Sequence, residues 1–280
     1  MLKAAGLGLI SLLPVVAVAA LLAGALTVGR WSDRALDWLN GGQVRTVLAA
    51  SLIGVITPVC GLGMLPLIAT LLRRGLPLAP VMAFWVSSPV TDPSMMLITA
   101  SIISVPFAVA KTAAAFGIGI LAGAVTGLLP GYRNAGHEMM RPTALEQYDC
   151  FWTAVWSSTR PMIRWLALAL VLEVFLQRFV PGAWVTSLFG TDAASWIPLA
   201  VLVGAPMYLE GYAALPLVSG LMDKGMSFGA ALALMISGAA VSFYSAVAVA
   251  ALVRIRVFIL YVLLALLGAC LAGYAANWLI

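Results

Sequence analysis

The run "VFILYVLLALLGACLAGYAANW", residues 257–278, carries no charged side chain. Several other runs match it in length and apolarity, and each exceeds the roughly 18 residues that mark a membrane span. The chain is 63% hydrophobic and only 9% charged, where a soluble domain carries about 25% charged residues. The fold class expected is therefore an all-α polytopic membrane protein. Apolar segments fall at 6–28, 46–72, 76–105, 106–129, 162–180, 195–222, 226–253 and 257–278, about eight transmembrane segments. The lipid bilayer is the first partner implied, and a multi-pass position in the cell inner membrane the expected location.

The formal charge of +5 needs no nucleic-acid partner, because Lys and Arg gather at span ends, where they orient the chain. Cys60, Cys150 and Cys270 are odd in number and far apart, so they imply no disulfide framework. The run from Ala4 to Val28 is long enough to span and reads as a first transmembrane helix rather than a signal peptide. "RWSDRALDWLN", residues 30–40, mixes Trp and Leu with Arg and Asp and reads as an interfacial helix.

Sliding the chain by 150 residues lays "SLIGVITPVCGLGMLPLIATLLRRGLPL" on "VLVGAPMYLEGYAALPLVSGLMDKGMSF" without a gap. Gly54 meets Gly204, Leu65-Pro66-Leu67 meets Leu215-Pro216-Leu217, Gly75 meets Gly225, and Ser87 meets Ser237. Matched Pro and Gly at one offset point to two internal repeats. The organisation expected is a first transmembrane repeat at 1–130, a polar linker at 131–160 and a second repeat at 161–280.

Both halves are interrupted where lipid would favour regular helix. "TPVCGLGMLP" (57–66), "SSPVTDPS" (87–94), "GAPMYLEGYAALP" (204–216) and "SGAAVS" (237–242) break the apolar segments. Proline removes a backbone donor and glycine weakens the helix. The freed backbone groups must be buried in protein or line a polar cavity. One break alone is a kinked helix repaired by its neighbours; four that pair under one offset resemble the walls of a midplane transport site. The substrate-binding residues expected are Cys60, Gly61, Gly63, Met64 and Pro66, then Ser88, Pro89 and Asp92. From the second half come Tyr208, Glu210, Gly211, Tyr212 and Pro216, then Ser237 and Ser242.

Ionisable groups inside spans are costly and mark pathways, proton relays or buried pairs. Asp92 and Glu210 lie in breaks and Glu173 lies mid-span; these three are the proton-coupling candidates. A carboxyl that only satisfies local backbone amides is the alternative for Asp92 and Glu210, and pairing with Lys111 or another helix is the alternative for Glu173. Desolvation favours the protonated form of a carboxyl, which suits proton-coupled exchange. Lys111 sits near a span end, where it either pairs or snorkels to the surface. Cys60 and Met64 are soft groups four residues apart, suited to a thiophilic species, although a lone Cys is commonly inert packing. His137 lies in the linker beside Glu138 and reads as solvated. No zinc spacing, nucleophile triad or phosphate-binding glycine loop is present in the sequence. No cofactor, metal site or enzymatic activity is expected.

At these residues the chain resembles the ArsP/YraQ-type predicted permeases. That family has a Pro-x-Cys-x-Cys-Gly turn leading to Pro-Leu, then Leu-Leu-x-x-Gly and an Ala-x-x-x-x-Ser-Pro stretch. The corresponding run here is "TPVCGLGMLPLIATLLRRGLPLAPVMAFWVSSPVTDP", and the second half is similar in "YLEGYAALPLVSGLMDKGMSFGAALALMISG". The resemblance implies an eight-span permease with relatives that export trivalent organoarsenicals; with the paired breaks, the function expected is a proton-coupled secondary transporter acting as an exporter. The sequence departs from the pattern at Leu62, where the second Cys is expected, so a two-thiol arsenic site is not available in that turn. A small-molecule substrate is thus expected, with an uncoupled pore, another small solute or a soft metal ion as alternatives. Eight spans put both termini inside, with eight Lys and Arg inside and six outside.

Overall fold

A computed structural model describes residues 42–57, 64–73, 75–130, 132, 196–206, 214–223, 225–241, 246, 249–250 and 252–279. Among them there is no strand. The first half contributes α1 (Gln43–Ile56), α2 (Leu65–Arg73), α3 (Leu78–Ser87), α4 (Pro93–Ile102) and α5 (Val105–Leu128). The second contributes α6 (Ile197–Gly204), α7 (Ala214–Asp223), α8 (Phe228–Ala240) and α9 (Ile255–Leu279). The expected first span, the interfacial helix, the linker apart from Tyr132, and the 162–180 segment lie outside the described residues.

Six helices carry a proline in their first turn: Pro66, Pro80, Pro93, Pro106, Pro198 and Pro216. The first-turn amides have no intrahelical acceptor, so proline costs nothing there and its fixed φ favours a start. The prolines of the apolar segments therefore mark where a new helix begins. Termination is as local. α2 and α7 both end in a glycine with positive φ, Gly75 at 79° and Gly225 at 100°. In each case the glycine N–H bonds the carbonyl three residues back, and the next N–H bonds the carbonyl five back. These are paired Schellman ends, which need the left-handed conformation that glycine adopts at no steric cost.

Small residues set the packing register. On α5, Gly127 abuts Gln43, Gly123 abuts Val47, and the Ser51 hydroxyl donates to the Phe116 carbonyl at 2.8 Å. Helix α1 therefore runs antiparallel to α5. Ala83 lies at Gly123 and Ser87 at Gly119, so α3 is antiparallel to α5 as well and parallel to α1. With α2 between them, α1 and α3 can run parallel side by side only if α2 ends near where α1 began. Segment 46–72 is thus not one helix: α1 ends at Ile56, and α2 ends in the Gly75 turn, at the end of the bundle where α1 began. Helix α6 against α8 and α9 repeats this geometry. A Cβ on Gly273 would lie 3.0 Å from both Ile197 and Ala233, which are the counterparts of Val47 and Ala83. Among the described residues neither 46–72 nor 195–222 holds one continuous helix: the arms have 8–14 residues, about 12–21 Å at ~1.5 Å per residue, each short of a ~30 Å hydrocarbon core.

The two halves meet along α5 and α9. A Cβ on Gly268 would lie 2.5 Å from Ile118. Phe107, at the start of α5, packs edge-on against Phe228 at the start of α8, with ring centroids 5.0 Å apart. The start of α8 is held to the end of α9 by Asn277, whose side-chain oxygen accepts from the Gly229 N–H at 2.7 Å. The start of α5 and the end of α9 therefore share one end of the bundle, and the two helices run antiparallel. It follows that the Gly75 and Gly225 turns lie at opposite ends.

Helices α5 and α9 are long and apolar enough to cross a bilayer. On α9 the exposed side chains Ile255, Ile259, Leu263, Leu267, Leu271, Tyr274 and Trp278 form a continuous apolar stripe. An outward face as apolar as the core fits lipid as its solvent.

Candidate functional site

Helix α3 stops at Ser87 and α4 restarts at Pro93, so the apolar segment 76–105 is built as two short helices. Pro89 has no N–H to give the Trp85 carbonyl, and the Val90 N–H turns to Ser87 at 3.4 Å instead of Val86. Two carbonyls of the last turn of α3 thereby lose their helical partners. Ser88, Pro89, Val90 and Thr91 are all buried, which is how irregular backbone is tolerated at membrane depth. Ser88 and Thr91 are each 3% exposed, and neither hydroxyl has a hydrogen-bond partner. Ser87 is different: its hydroxyl donates to Phe84 and Ser51 carbonyls, both at 3.2 Å.

Asp92 caps α4. One carboxylate oxygen accepts from the amides of Ser94 at 2.7 Å and Met95 at 2.9 Å. This is the local role weighed against proton carriage in the sequence, and it fixes the carboxylate at the mouth of the break. The second oxygen has no such bond to the α4 amides.

The second half is broken differently. Gly238, Ala239 and Ala240 keep α8 helical where Pro89 stops α3. The Tyr261 hydroxyl on α9 donates to the Ala240 carbonyl. Tyr261 also stacks on Trp85 of α3, ring centroids 5.0 Å apart, and so joins the end of one half to the break region of the other. Ser237 keeps its hydroxyl on the Leu234 carbonyl at 3.1 Å, which is ordinary helical back-bonding.

Met64 is buried at the start of α2, and its carbonyl accepts the Ile68 N–H at 2.9 Å. Pro66 and Pro216 occupy the first turns of α2 and α7, with Pro216 exposed. Cys60, Gly61, Gly63, Tyr208, Glu210, Gly211, Tyr212, Ser242 and Glu173 lie outside the described residues. Ser88, Pro89 and Asp92 share one break, to which the structure adds Thr91. Its signal was its place between Pro89 and Pro93, where no helical carbonyl is available for the i−4 bond a threonine otherwise makes.

Lys111 lies on α5, one turn from Phe107 on the face toward the second half. It is 2% exposed and has an interaction partner, so it does not snorkel. Helix α7 packs on α4, which brings it beside the α3–α4 break.

One family model, ArsP_1, described as a predicted permease, matches residues 4–278. No curated protein and no solved structure matches the chain.

Proposed function

The chain belongs to the ArsP_1 family of predicted permeases, and we propose that it is a secondary transporter of two inverted internal repeats. In this reading 46–72 and 195–222 are re-entrant hairpins, and the substrate site lies near the midplane, between their tips and the two helix breaks. The observation that carries it is the antiparallel crossing of α5 and α9 at Ile118 and Gly268, positions equivalent under the 150-residue offset. Contact between equivalent positions marks a pseudo-two-fold axis, and inverted halves about a central site are the architecture that alternating access uses. The organoarsenical class and outward direction follow from the family resemblance; Leu62 favours a non-thiophilic small solute, with the carboxyl of Glu210 as proton carrier and Glu173 as a further carboxyl on the path.

The same reading orients the chain. The Gly75 end carries Arg45, Arg73, Arg74, Arg254 and Arg256, whereas the Gly225 end carries Asp223 and Lys224. With 6–28 and 162–180 each crossing once, Arg30, Arg34, Arg133, Arg141, Arg160 and Arg164 join the Gly75 end, and Lys3 and Arg178 join the Gly225 end, which leaves eleven Lys and Arg against three. The positive-inside rule makes that end cytoplasmic and puts both termini outside, reversing the orientation that eight crossings imply.

Flux in proteoliposomes under an imposed pH gradient tests the function. The panel comprises methylated and aromatic arsenicals, antimonite, copper and sulfur oxyanions. Uphill movement of one of them is the expected result. Flux that only dissipates a solute gradient would instead establish an uncoupled pore.

A further inference from the structure

The break between α3 and α4 has an oxygen-rich lining that its own helices leave unused. The Ser88 and Thr91 hydroxyls are buried without partners. The carbonyls of Trp85 and Val86 lack their helical donors, because Pro89 has no N–H and Val90 bonds Ser87. Asp92 spends one oxygen on the α4 cap and keeps the other.

The polarity of this set selects its occupant. The start of a half-helix ordinarily attracts an anion, but here the amides of Ser94 and Met95 are already taken by Asp92. What remains is the negative end of α3, a carboxylate and two hydroxyls that can accept. Hard cations are held by such oxygens, and unwound carbonyls at half-helix ends are a known way to hold sodium in a membrane. A single carboxylate balances one positive charge. Lys111 on α5 bonds neither hydroxyl, since both lack partners. It lies on the helix face shared with Phe107 and Ile118, about 80° round from Gly119, where Ser87 packs.

We propose that the α3–α4 break is a binding site for one hard monovalent cation, sodium, formed by Ser88, Thr91, Asp92 and the carbonyls of Trp85 and Val86. The site is unique to the first half. Under the 150-residue offset Gly238 and Val241 stand in place of Ser88 and Thr91, and Tyr261 occupies the Ala240 carbonyl. The inference rests on the permease reading, in which the ion is a coupling ion beside the proton carried at Glu210. Sodium binding itself is measured without any transported solute.

The experiment is equilibrium binding of radioactive sodium to the purified full chain in detergent, at constant ionic strength set with choline. Wild type should bind one ion per chain saturably, with lithium competing and choline not. Thr91→Val, which keeps the shape and removes the hydroxyl, should weaken binding about tenfold or more, as should Ser88→Ala. Thr91→Ser should retain it, and this pairing separates loss of a ligand from loss of fold. No saturable sodium binding by wild type, or wild-type affinity in both Thr91→Val and Ser88→Ala, overturns the proposal. Sodium binding without solute flux would sink the permease reading alone; solute flux without sodium binding would sink the site alone.

Discussion

Ile118 of α5 and Gly268 of α9 touch, and each is the other's counterpart 150 residues away. A side chain larger than hydrogen at 268 would stand 2.5 Å from Ile118. The glycine lets two long helices cross closely, and small residues at such crossings are the usual means of helix association in lipid. Everything that distinguishes the two ends of the molecule follows from the direction in which these helices cross.

The first prediction concerns sidedness. In a background with Cys60, Cys150 and Cys270 replaced, a single cysteine at Asp223 should react with a membrane-impermeant maleimide added outside. A cysteine at Arg73 should react only after permeabilisation. Labelling of both from the same side would refute the antiparallel arrangement.

The second concerns glycine packing. A Cβ at Gly273 meets the backbone oxygen of Gly229 at 2.8 Å, while one at Gly117 meets nothing within 4 Å. Gly273→Ala should destabilise by about 1–3 kcal/mol through overpacking. Gly117→Ala should stabilise by roughly 0.5–1 kcal/mol through helix propensity. Unfolding in mixed micelles would read both, and equal effects would contradict the register.

The third concerns the turns. Gly75→Ala and Gly225→Ala force a Cβ into left-handed backbone at φ 79° and 100°, which costs about 1–2 kcal/mol each. Similar losses of stability at both positions, with insertion preserved, are the expected outcome. Unchanged melting of either variant would show that its helix ends otherwise.

The fourth concerns Tyr261. Tyr261→Phe keeps the stack on Trp85 and removes the donor to the buried Ala240 carbonyl. Destabilisation of about 1–3 kcal/mol is expected for an acceptor left unmet, while sodium binding at the other break should be unchanged.

The fifth returns to transport. Glu210→Gln should abolish pH-driven flux and Cys60→Ser should leave most of it, measured as initial rates with expression matched. The opposite order would restore a thiophilic substrate.

By itself the sequence determined the apolar, all-helical class, the interruption between Ser87 and Pro93, and the pairing of Gly54, Gly75 and Ser87 with partners 150 residues on, whereas the break expected from Ser237 is helical through Ala240. Those are local or compositional properties: proline lacks a donor, glycine tolerates positive φ, and charge avoids hydrocarbon wherever it stands. It did not determine how many segments cross. An apolar run of 27 residues, 46–72, has the same composition whether it crosses or turns back. Only the paired seatings, Gln43 at Gly127 with Val47 at Gly123, and Ala83 at Gly123 with Ser87 at Gly119, show that α1 and α3 run the same way. Burial of Lys111 and the missing partners of Ser88 and Thr91 were equally hidden, because each depends on which helix faces which. Direction and pairing of helices are long-range relations, set by side chains meeting across the bundle, and periodicity along one chain carries no record of them.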